Sequence, residues 1–203
     1  MERRSFLKQA SAGIAAGAAA APALAADLPT IKWRCASGFP KTLDAIFGAT
    51  ETVARRVAAA TGGKFQISLF AAGEIVPTPG VLDAVKDGTV ECGHAASYWY
   101  IGKDPALAFD TALPFGLNSR QQTAWMMEGG GLELFREFFK DYNIHNIPCG
   151  NTGAQMGGWF RKEIKTVEDL KGLKFRVGGF TGQALAKLGV VPQQIPGSDI
   201  YPA

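Results

Sequence analysis

Length, composition and charge limit the classes of protein to which this chain can belong. Its 203 residues are 47% hydrophobic and 19% charged, as in ordinary globular proteins of one or two domains, and this composition excludes a largely disordered chain. The formal net charge is +3, but the first 25 residues hold three cations against one acid. The remainder therefore carries a net charge of only about +1, which is too little positive charge to indicate nucleic-acid binding.

The N-terminal segment has the pattern of an export signal. Paired arginines at 3–4 and Phe-Leu-Lys at 6–8 precede a weakly hydrophobic stretch at 10–21 and the small residues Ala-Leu-Ala at 23–25. Residues 1–25 are therefore predicted to be a cleaved secretory signal, because their Ala- and Gly-rich core is too weakly apolar for a membrane anchor. The twin arginine is typical of the Tat pathway, and a general secretion signal is the alternative.

Three cysteines are an odd number for an oxidising compartment, and no two of them form a CxxC pair. Cys35, Cys92 and Cys149 each lie in a stretch that has the pattern of a buried strand. We expect them to be small buried hydrophobic residues, and a Cys35–Cys92 bridge is the alternative.

The remaining chain alternates strand-like and helix-like segments. Strands are expected at 31–37, 65–70 and 91–96, with one helix ending at Gly62-Gly63 and a second opening at Thr78-Pro79, where Thr78 is the expected cap. This β-α-β-α-β order predicts an α/β fold with a mostly parallel sheet and helices on both faces.

The second part of the chain is expected to begin another domain. Residues 26–150 are predicted to form a first α/β lobe, and 151–203 a crossover and the N-terminal part of a second lobe. Further elements are predicted there and in the segment before it: helices at 119–140 (interrupted at 129–131) and 181–188, strands at 144–149, 159–162 and 174–177, and a turn at 166–169 capped by Thr166.

Signatures of enzymes are missing from the sequence. It contains no GxGxxG, GxxxxGK[ST] or GxSxG pattern, and neither His94 nor His145 has a carboxylate or cysteine at a metal-ligand spacing. We therefore predict no catalytic residue and no catalytic cofactor, and we interpret both histidines as structural or surface residues.

A glycine-rich segment at 150–158 is the first candidate binding site. Its four glycines allow a close approach of the backbone to a ligand, and Gln155 offers an amide oxygen to a cation or an amide donor to a carboxylate. A loop without a ligand is the alternative.

Arg176 is the second candidate, at the end of the predicted strand 174–177. Leu173, Phe175 and Val177 alternate with Lys174 and Arg176, which share the opposite face. Ligands of open α/β folds bind at the carboxyl ends of strands, and a guanidinium there can hold a carboxylate through two parallel hydrogen bonds. A surface ion pair is the alternative.

Aromatic residues follow the third predicted strand at the corresponding edge of the first lobe. Tyr98 and Tyr100 are expected to close the pocket, with a hydroxyl reaching a polar ligand, although aromatic clusters more often lie in the core. Glu74, in a loop after the second strand, is a weaker candidate.

These stretches resemble the periplasmic solute-binding proteins of TRAP transporters, the DctP-type family. The resemblance rests on FAAGE at 70–74, VLDAV at 81–85, DLKGLKFR at 169–176, and Leu188-Gly189 followed by Pro192. The segment 150–162 resembles the subgroup that binds 2-oxo acids such as pyruvate.

The resemblance implies a periplasmic-binding-protein-like, two-lobe (Venus flytrap) fold with mostly parallel sheets, truncated in the second lobe. It implies a periplasmic, non-enzymatic protein that delivers a small carboxylate to TRAP integral membrane subunits, and a homodimer in the full-length protein. Arg176 would clamp the carboxylate, and Gln155 would bind the substrate with a sodium or calcium ion. The alternatives are a C4-dicarboxylate ligand, an exported enzyme with a cofactor, and a sensory binding protein.

Overall fold

The structure of the protein is a computed structural model that describes residues 29–111, 113–153 and 155–200. The predicted export signal at 1–25 lies outside the described residues. Of the helices that the structure does describe, none is long and apolar enough to cross a bilayer.

A three-stranded parallel sheet forms the first part of the chain. Strands β1 (Ile31–Ser37), β2 (Phe65–Phe70) and β3 (Cys92–His94) lie in the order β2-β1-β3. Helix α1 (Asp44–Ala60) connects β1 to β2, and helix α2 (Val81–Lys86) lies between β2 and β3. Parallel neighbours require such crossover connections, so the predicted β-α-β-α-β order and parallel sheet are confirmed.

The predicted cap of the second helix is wrong. A 3-10 turn at Thr78–Gly80 precedes α2, and no side chain caps either element. The Thr78 hydroxyl instead donates to the carbonyl of Gly38, at 3.4 Å, in the loop that follows β1. Thr78 therefore ties two loops together, because its hydroxyl has a tertiary partner.

Two helices with a sharp break between them follow, as predicted. Helix α3 (Ser119–Glu128) begins with a reciprocal capping box between Asn118 and Gln121. Helix α4 (Gly131–Lys140) begins after Gly130, whose φ of 82° is left-handed and therefore favours glycine. The side chains of these helices complete the main core, whose buried members are Leu82, Tyr100, Leu107, Met126, Phe135 and Phe139.

A second, two-stranded parallel sheet lies near the end of the described chain. Strand β4 (Lys174–Arg176), helix α5 (Gly179–Ala186) and strand β5 (Val191–Gln193) form one β-α-β unit. The strand at 174–177 and the helix at 181–188 were predicted with small boundary differences. Strand β5 was not predicted, because it is short, exposed and has Pro192 at its centre.

Two further strand predictions, at 144–149 and 159–162, are wrong. Both segments are irregular in the structure and pair with no described strand. Their apolar side chains do not share a buried sheet face: Ile144 packs against the helical core, whereas Ile147 is 70% exposed and Trp159 is 85% exposed. An apolar pattern without a neighbouring strand does not make a sheet.

The turn predicted at 166–169 forms, but the side chain that accepts the backbone amides is that of Asp169 and not that of Thr166, the predicted cap. The Asp169 carboxylate accepts hydrogen bonds from the backbone amides of Lys165 and Thr166, at 3.0 and 2.9 Å, and from the Thr166 hydroxyl. These bonds hold the pKa of Asp169 below its ordinary value. The turn continues as a 3-10 helix at Glu168–Leu170 and leads into β4.

Candidate ligand-binding cleft

The carboxyl ends of the two sheets meet in space. A 3-10 turn at Ser97–Tyr100 follows β3, and the side-chain amide of Gln194, just beyond β5, donates to the Trp99 carbonyl at 3.2 Å. Gly179, the first residue of α5, lies against Tyr98, since a Cβ there would be 3.1 Å from the tyrosine ring. In α/β folds this edge is where ligands bind.

An open cleft of about 3230 Å³ runs along this junction. Its walls include all four predicted site residues: Tyr98, Tyr100, Gln155 and Arg176. Pockets that enclose a small molecule usually measure about 300–1,000 Å³. The cleft is therefore an open groove, far larger than one small carboxylate needs.

Arg176 is an exposed side chain at the last position of β4. Its Nε donates to the backbone carbonyl of Ile195 at 3.0 Å. Within the described part of the chain, none of the ion pairs involves this guanidinium. The surface ion pair that the sequence left open as an alternative is therefore not among the ion pairs shown for the described residues.

Gln155 lies in the glycine-rich loop on the same cleft. Its side-chain nitrogen donates to the Thr152 hydroxyl at 2.7 Å, and the Asn151 side chain accepts from the amide of Gly153, also at 2.7 Å. These short-range bonds shape the loop and use one of the two N–H groups of the Gln155 side chain. The amide oxygen is the atom that Gln155 can offer to a cation, and the second N–H group can donate to a carboxylate.

Aromatic packing attaches this loop to β4. The rings of Phe160 and Phe175 stack with centroids 5.0 Å apart and an interplanar angle of 11°. Gly158 lies so close to the Phe175 ring that an added Cβ would overlap it. Phe175 precedes Arg176, so the packing places the Gln155 loop beside the strand that carries the arginine.

The two tyrosines differ in their environments. Tyr100 is 4% exposed, and its hydroxyl donates to the Thr78 carbonyl at 3.1 Å. Burial raises the pKa of Tyr100 to about 12. Tyr98 is only half-buried and contacts the second β-α-β unit at Gly179. Tyr98 is therefore the more accessible of the two rings in the cleft wall, whereas Tyr100 is buried in it.

Glu74 lies outside the described lining of the cleft. Its carboxylate forms an ion pair with Lys41 at 2.8 Å and accepts from the Ala71 amide at 2.8 Å. These contacts, the Lys41 bond foremost, hold the pKa of Glu74 below its ordinary value. The Glu74 carboxylate therefore stabilises the loop in which it lies.

A half-buried carboxylate in the cleft wall, that of Asp110, has no recognisable signal in the sequence. Asp110 accepts a hydrogen bond from the Ser97 hydroxyl, and the Thr111 hydroxyl lies 3.4 Å from the same Ser97 oxygen. Burial raises the pKa of Asp110. Asp110 follows no motif, so only the tertiary structure reveals that it braces the turn that carries Tyr98.

His94 is a buried residue at the end of β3, and His145 is exposed. The Nδ1 of His94 lies 2.7 Å from the Thr50 hydroxyl. Burial lowers the pKa of His94 to about 4, so its ring is neutral at neutral pH.

The described residues supply few groups for a cation. Among them there is no group of three or more His, Cys, Asp or Glu side chains that could hold a metal ion. The amide oxygen of Gln155 is a suitable ligand for sodium or calcium, which prefer oxygen donors. One such oxygen fits a cation that is also bound by the oxygens of a carboxylate ligand, and it does not make a separate metal site.

A scan against protein-family models matches residues 36–203 to the bacterial extracellular solute-binding proteins, family 7. The monocarboxylate 2-oxoacid-binding periplasmic protein of Nostoc sp. (strain PCC 7120) is 57% identical over 176 residues, which are 87% of this chain and 48% of that protein.

Solved structures agree with this match. A TRAP transporter solute-binding protein from Bordetella bronchiseptica RB50, a dimer with copurified calcium and picolinate, is 56% identical with a TM-score of 0.84, covering 87% of this chain and 52% of that one. A TRAP periplasmic solute-binding protein from Pseudoalteromonas atlantica T6c, with bound sodium and pyruvate, is 44% identical with a TM-score of 0.81, covering 86% and 53%.

The chain spans about half the length of these relatives. The family match nevertheless covers most of the chain, from residue 36 to residue 203, and includes strands β2 to β5 and the glycine-rich loop. This chain belongs to family 7 of the bacterial extracellular solute-binding proteins.

Proposed function

We propose that this chain is part of the extracytoplasmic solute-binding subunit of a TRAP transporter. The subunit captures a 2-oxo acid such as pyruvate, or a lactate-like monocarboxylate, together with a cation, and delivers it to integral membrane subunits. The observation that carries this proposal is Arg176 at the carboxyl end of β4, where it lies on the wall of the cleft and is held through its Nε.

The chemistry of the cleft suits a small carboxylate. The planar guanidinium of Arg176 can donate two parallel hydrogen bonds to a carboxylate, a geometry that an ammonium group does not reproduce. Tyr98 provides a half-buried ring at the junction of the two sheets, where it offers an aromatic surface to a small ligand.

The choice of a 2-oxo acid and a cation rests on the relatives and on Gln155. The Nostoc relative is named as 2-oxoacid-binding, and the Pseudoalteromonas protein holds sodium and pyruvate. When bound, a sodium or calcium ion would offset the negative charge of the ligand. Gln155 would contribute its amide oxygen to that ion and keep its amide nitrogen on Thr152.

Residues of both parallel-sheet regions line the cleft, which suggests how capture works. A ligand that contacts both Arg176 and the turn at Tyr98 stabilises the arrangement in which the walls approach each other. Closure would exclude water from the carboxylate and strengthen its hydrogen bonds to Arg176. The bound, closed form is then the species presented to the membrane subunits.

Export to the periplasm, through a Tat-type signal at residues 1–25, is part of the same proposal. So is a homodimer of the full-length protein, as described for the Bordetella relative.

A calorimetric panel on the full-length protein tests the proposed ligand. Pyruvate, longer 2-oxo acids, lactate and succinate are each titrated with and without sodium or calcium. We expect the tightest binding from a 2-oxo acid or lactate, with an affinity that depends on the cation. Tight binding of succinate without binding of any 2-oxo acid would instead make the protein a C4-dicarboxylate receptor. An absorbance band from a flavin, haem or iron–sulfur centre would indicate an enzyme.

A further inference from the structure

Two of the three cysteines lie side by side in the first sheet. Strands β1 and β3 are parallel neighbours, and their register pairs Cys35 directly with Cys92. The preceding pair, Arg34 and Glu91, is joined by a two-pronged ion pair with contacts of 2.7 and 3.1 Å. The Glu91 carboxylate also accepts the backbone amide of Arg34 at 2.7 Å, so the register is fixed next to the cysteines.

This arrangement has the geometry that a disulfide requires. Neighbouring strands lie about 4.7–4.9 Å apart, and disulfide-bonded cysteines have Cα atoms about 4.4–6.8 Å apart. Paired residues of parallel strands also direct their side chains to the same face of the sheet. The Cys92 sulfur leans towards β1, where it lies 3.7 Å from the Arg34 carbonyl. Both thiols are free in the structure.

The two thiols also interact and differ in reactivity. A hydrogen bond between them raises the pKa of Cys35, which burial raises further, and lowers the pKa of Cys92. Cys35 is only 3% exposed, whereas Cys92 is half-buried. An oxidant therefore reaches Cys92 first, and Cys92 is also the thiol that ionises more readily.

We propose that Cys35 and Cys92 form a structural disulfide after export, while Cys149 remains a thiol. The Cys92 thiolate attacks the disulfide of an exported thiol–disulfide oxidase, or of oxidised glutathione, and releases one thiolate from it. Cys35 then loses its proton and attacks the Cys92 sulfur, which displaces the second thiolate. The two cysteines together lose two protons and two electrons, and the oxidant is reduced to two thiols.

Cys149 lies near the pair, since its charge also raises the pKa of Cys35, but it is not the partner in this pair. Its sulfur lies 3.7 Å from the Thr50 hydroxyl, which itself contacts the buried His94. It belongs to no strand, so no backbone register holds it opposite either of the other cysteines.

The disulfide would bind β3 covalently to the centre of the sheet. The turn that carries Tyr98 begins three residues after β3 ends, so the bond would steady one wall of the cleft. This inference depends on the proposed export only because export supplies the oxidant. The pairing of Cys35 with Cys92 follows from the register of the sheet.

Tryptic mapping of the full-length protein tests the pairing without any substitution. Trypsin places the three cysteines in separate peptides, 35–41, 87–103 and 141–161. Protein exported by the cells is alkylated without reductant and digested, and a reduced sample is treated with oxidised glutathione in parallel. We expect 35–41 linked to 87–103 in both samples, and 141–161 alkylated.

Recovery of 35–41 and 87–103 as separate alkylated peptides in both samples would overturn the inference, as would a link from either of them to 141–161. A link that forms only with glutathione would support the pairing and count against export into an oxidising compartment. The experiment therefore distinguishes a failure of the proposed disulfide from a failure of the proposed export.

Thermal unfolding provides a second readout. Reductant should lower the melting temperature of the oxidised wild type on the order of 5–10 °C, because it removes a cross-link that restricts the unfolded chain. The same reductant should not change the melting temperature of Cys92→Ser, whereas Cys149→Ser should respond as the wild type does. Equal responses of Cys92→Ser and wild type would contradict the disulfide.

Discussion

Arg176 donates from Nε to the backbone carbonyl of Ile195 across 3.0 Å, which ties the last residue of β4 to the segment just beyond β5. The bond uses the one guanidinium nitrogen that points back along the side chain. It restricts the rotamers of a long side chain before any ligand arrives, so less entropy is lost when a carboxylate binds. The terminal nitrogens of Arg176 are therefore presented to the cleft in a partly organised state.

Replacement of Arg176 tests its proposed role as a carboxylate clamp. Arg176→Ala should weaken 2-oxo acid binding by at least about 30-fold, and Arg176→Lys by about tenfold, because charge without the two-pronged geometry is insufficient. Lys174→Ala is the matched control, an exposed cation on the same face of the same strand, and should change affinity less than about twofold. Calorimetry that finds Arg176→Ala within twofold of the wild type would refute the clamp.

The cation dependence of binding should depend on the amide oxygen of Gln155. Gln155→Leu removes that oxygen at similar size, so we expect the increase in ligand affinity caused by sodium or calcium to fall about tenfold. Thr152→Val, which removes only the hydroxyl that accepts from Gln155 Nε2, should retain most of the cation effect. Titration of ligand at several cation concentrations measures both, and an unchanged cation dependence in Gln155→Leu would exclude this residue as a cation ligand.

Substitutions of Tyr98 and Tyr100 should have different effects, one on ligand affinity and the other on the free energy of unfolding. Tyr98→Ala should weaken ligand binding about fivefold to tenfold, because it removes the ring at the junction of the sheets. Tyr100→Phe should leave affinity unchanged but lower the free energy of unfolding by about 1 kcal/mol, because the half-buried Thr78 carbonyl loses the tyrosine hydroxyl and keeps only the Val81 amide as a donor. Calorimetry and urea unfolding distinguish the two effects. Weaker binding in Tyr100→Phe than in Tyr98→Ala would reverse the assignment.

Glycines 157 and 158 offer a matched test of the loop position. In Gly158→Ala the new Cβ would overlap the Phe175 ring, so the loop must move away from β4 and ligand affinity should fall about tenfold. Gly157→Ala meets nothing within 4 Å and should bind within about twofold of the wild type. If both variants bind equally well, the packing of the loop on Phe175 does not position Gln155.

His94 should make the stability of the protein depend on pH. Its pKa falls from an ordinary value of 6.5 to about 4 in the fold, so between these values the unfolded chain binds more protons. The free energy of unfolding should therefore decrease as pH falls from about 6.5 to 4, by up to about 3 kcal/mol from this residue. His94→Gln should remove that part of the slope, whereas His145→Gln, at an exposed site, should retain it.

Urea unfolding at pH 7 and pH 4 measures this contribution as a difference between variants. The contribution is refuted if the gap between wild type and His94→Gln is the same at both values, because the buried ring would then not resist protonation.

The sequence predicted best where the local pattern alone settles the structure. Strands β1 and β2, the long helix between them and the break at Gly130 each follow from the periodicity of apolar residues or from a backbone angle that favours glycine. Residues 144–149 show where this fails. Their pattern is apolar enough for a strand, but sheet formation requires a neighbour that a local pattern cannot supply.

For the candidate site, the sequence by itself determined which residues have suitable chemistry and near which strand end they fall. Arg176 before a glycine pair and Gln155 in a glycine-rich loop were both recognisable, because side-chain type and strand alternation are local properties.

Only the tertiary structure decided which of these groups meet and which are already engaged. Three contacts join segments that are distant in sequence. Arg176 donates to the Ile195 carbonyl, the Tyr100 hydroxyl donates to the Thr78 carbonyl, and the strand register pairs Cys35 with Cys92. Such contacts depend on the packing of whole elements against one another, and no spacing along the chain records that packing.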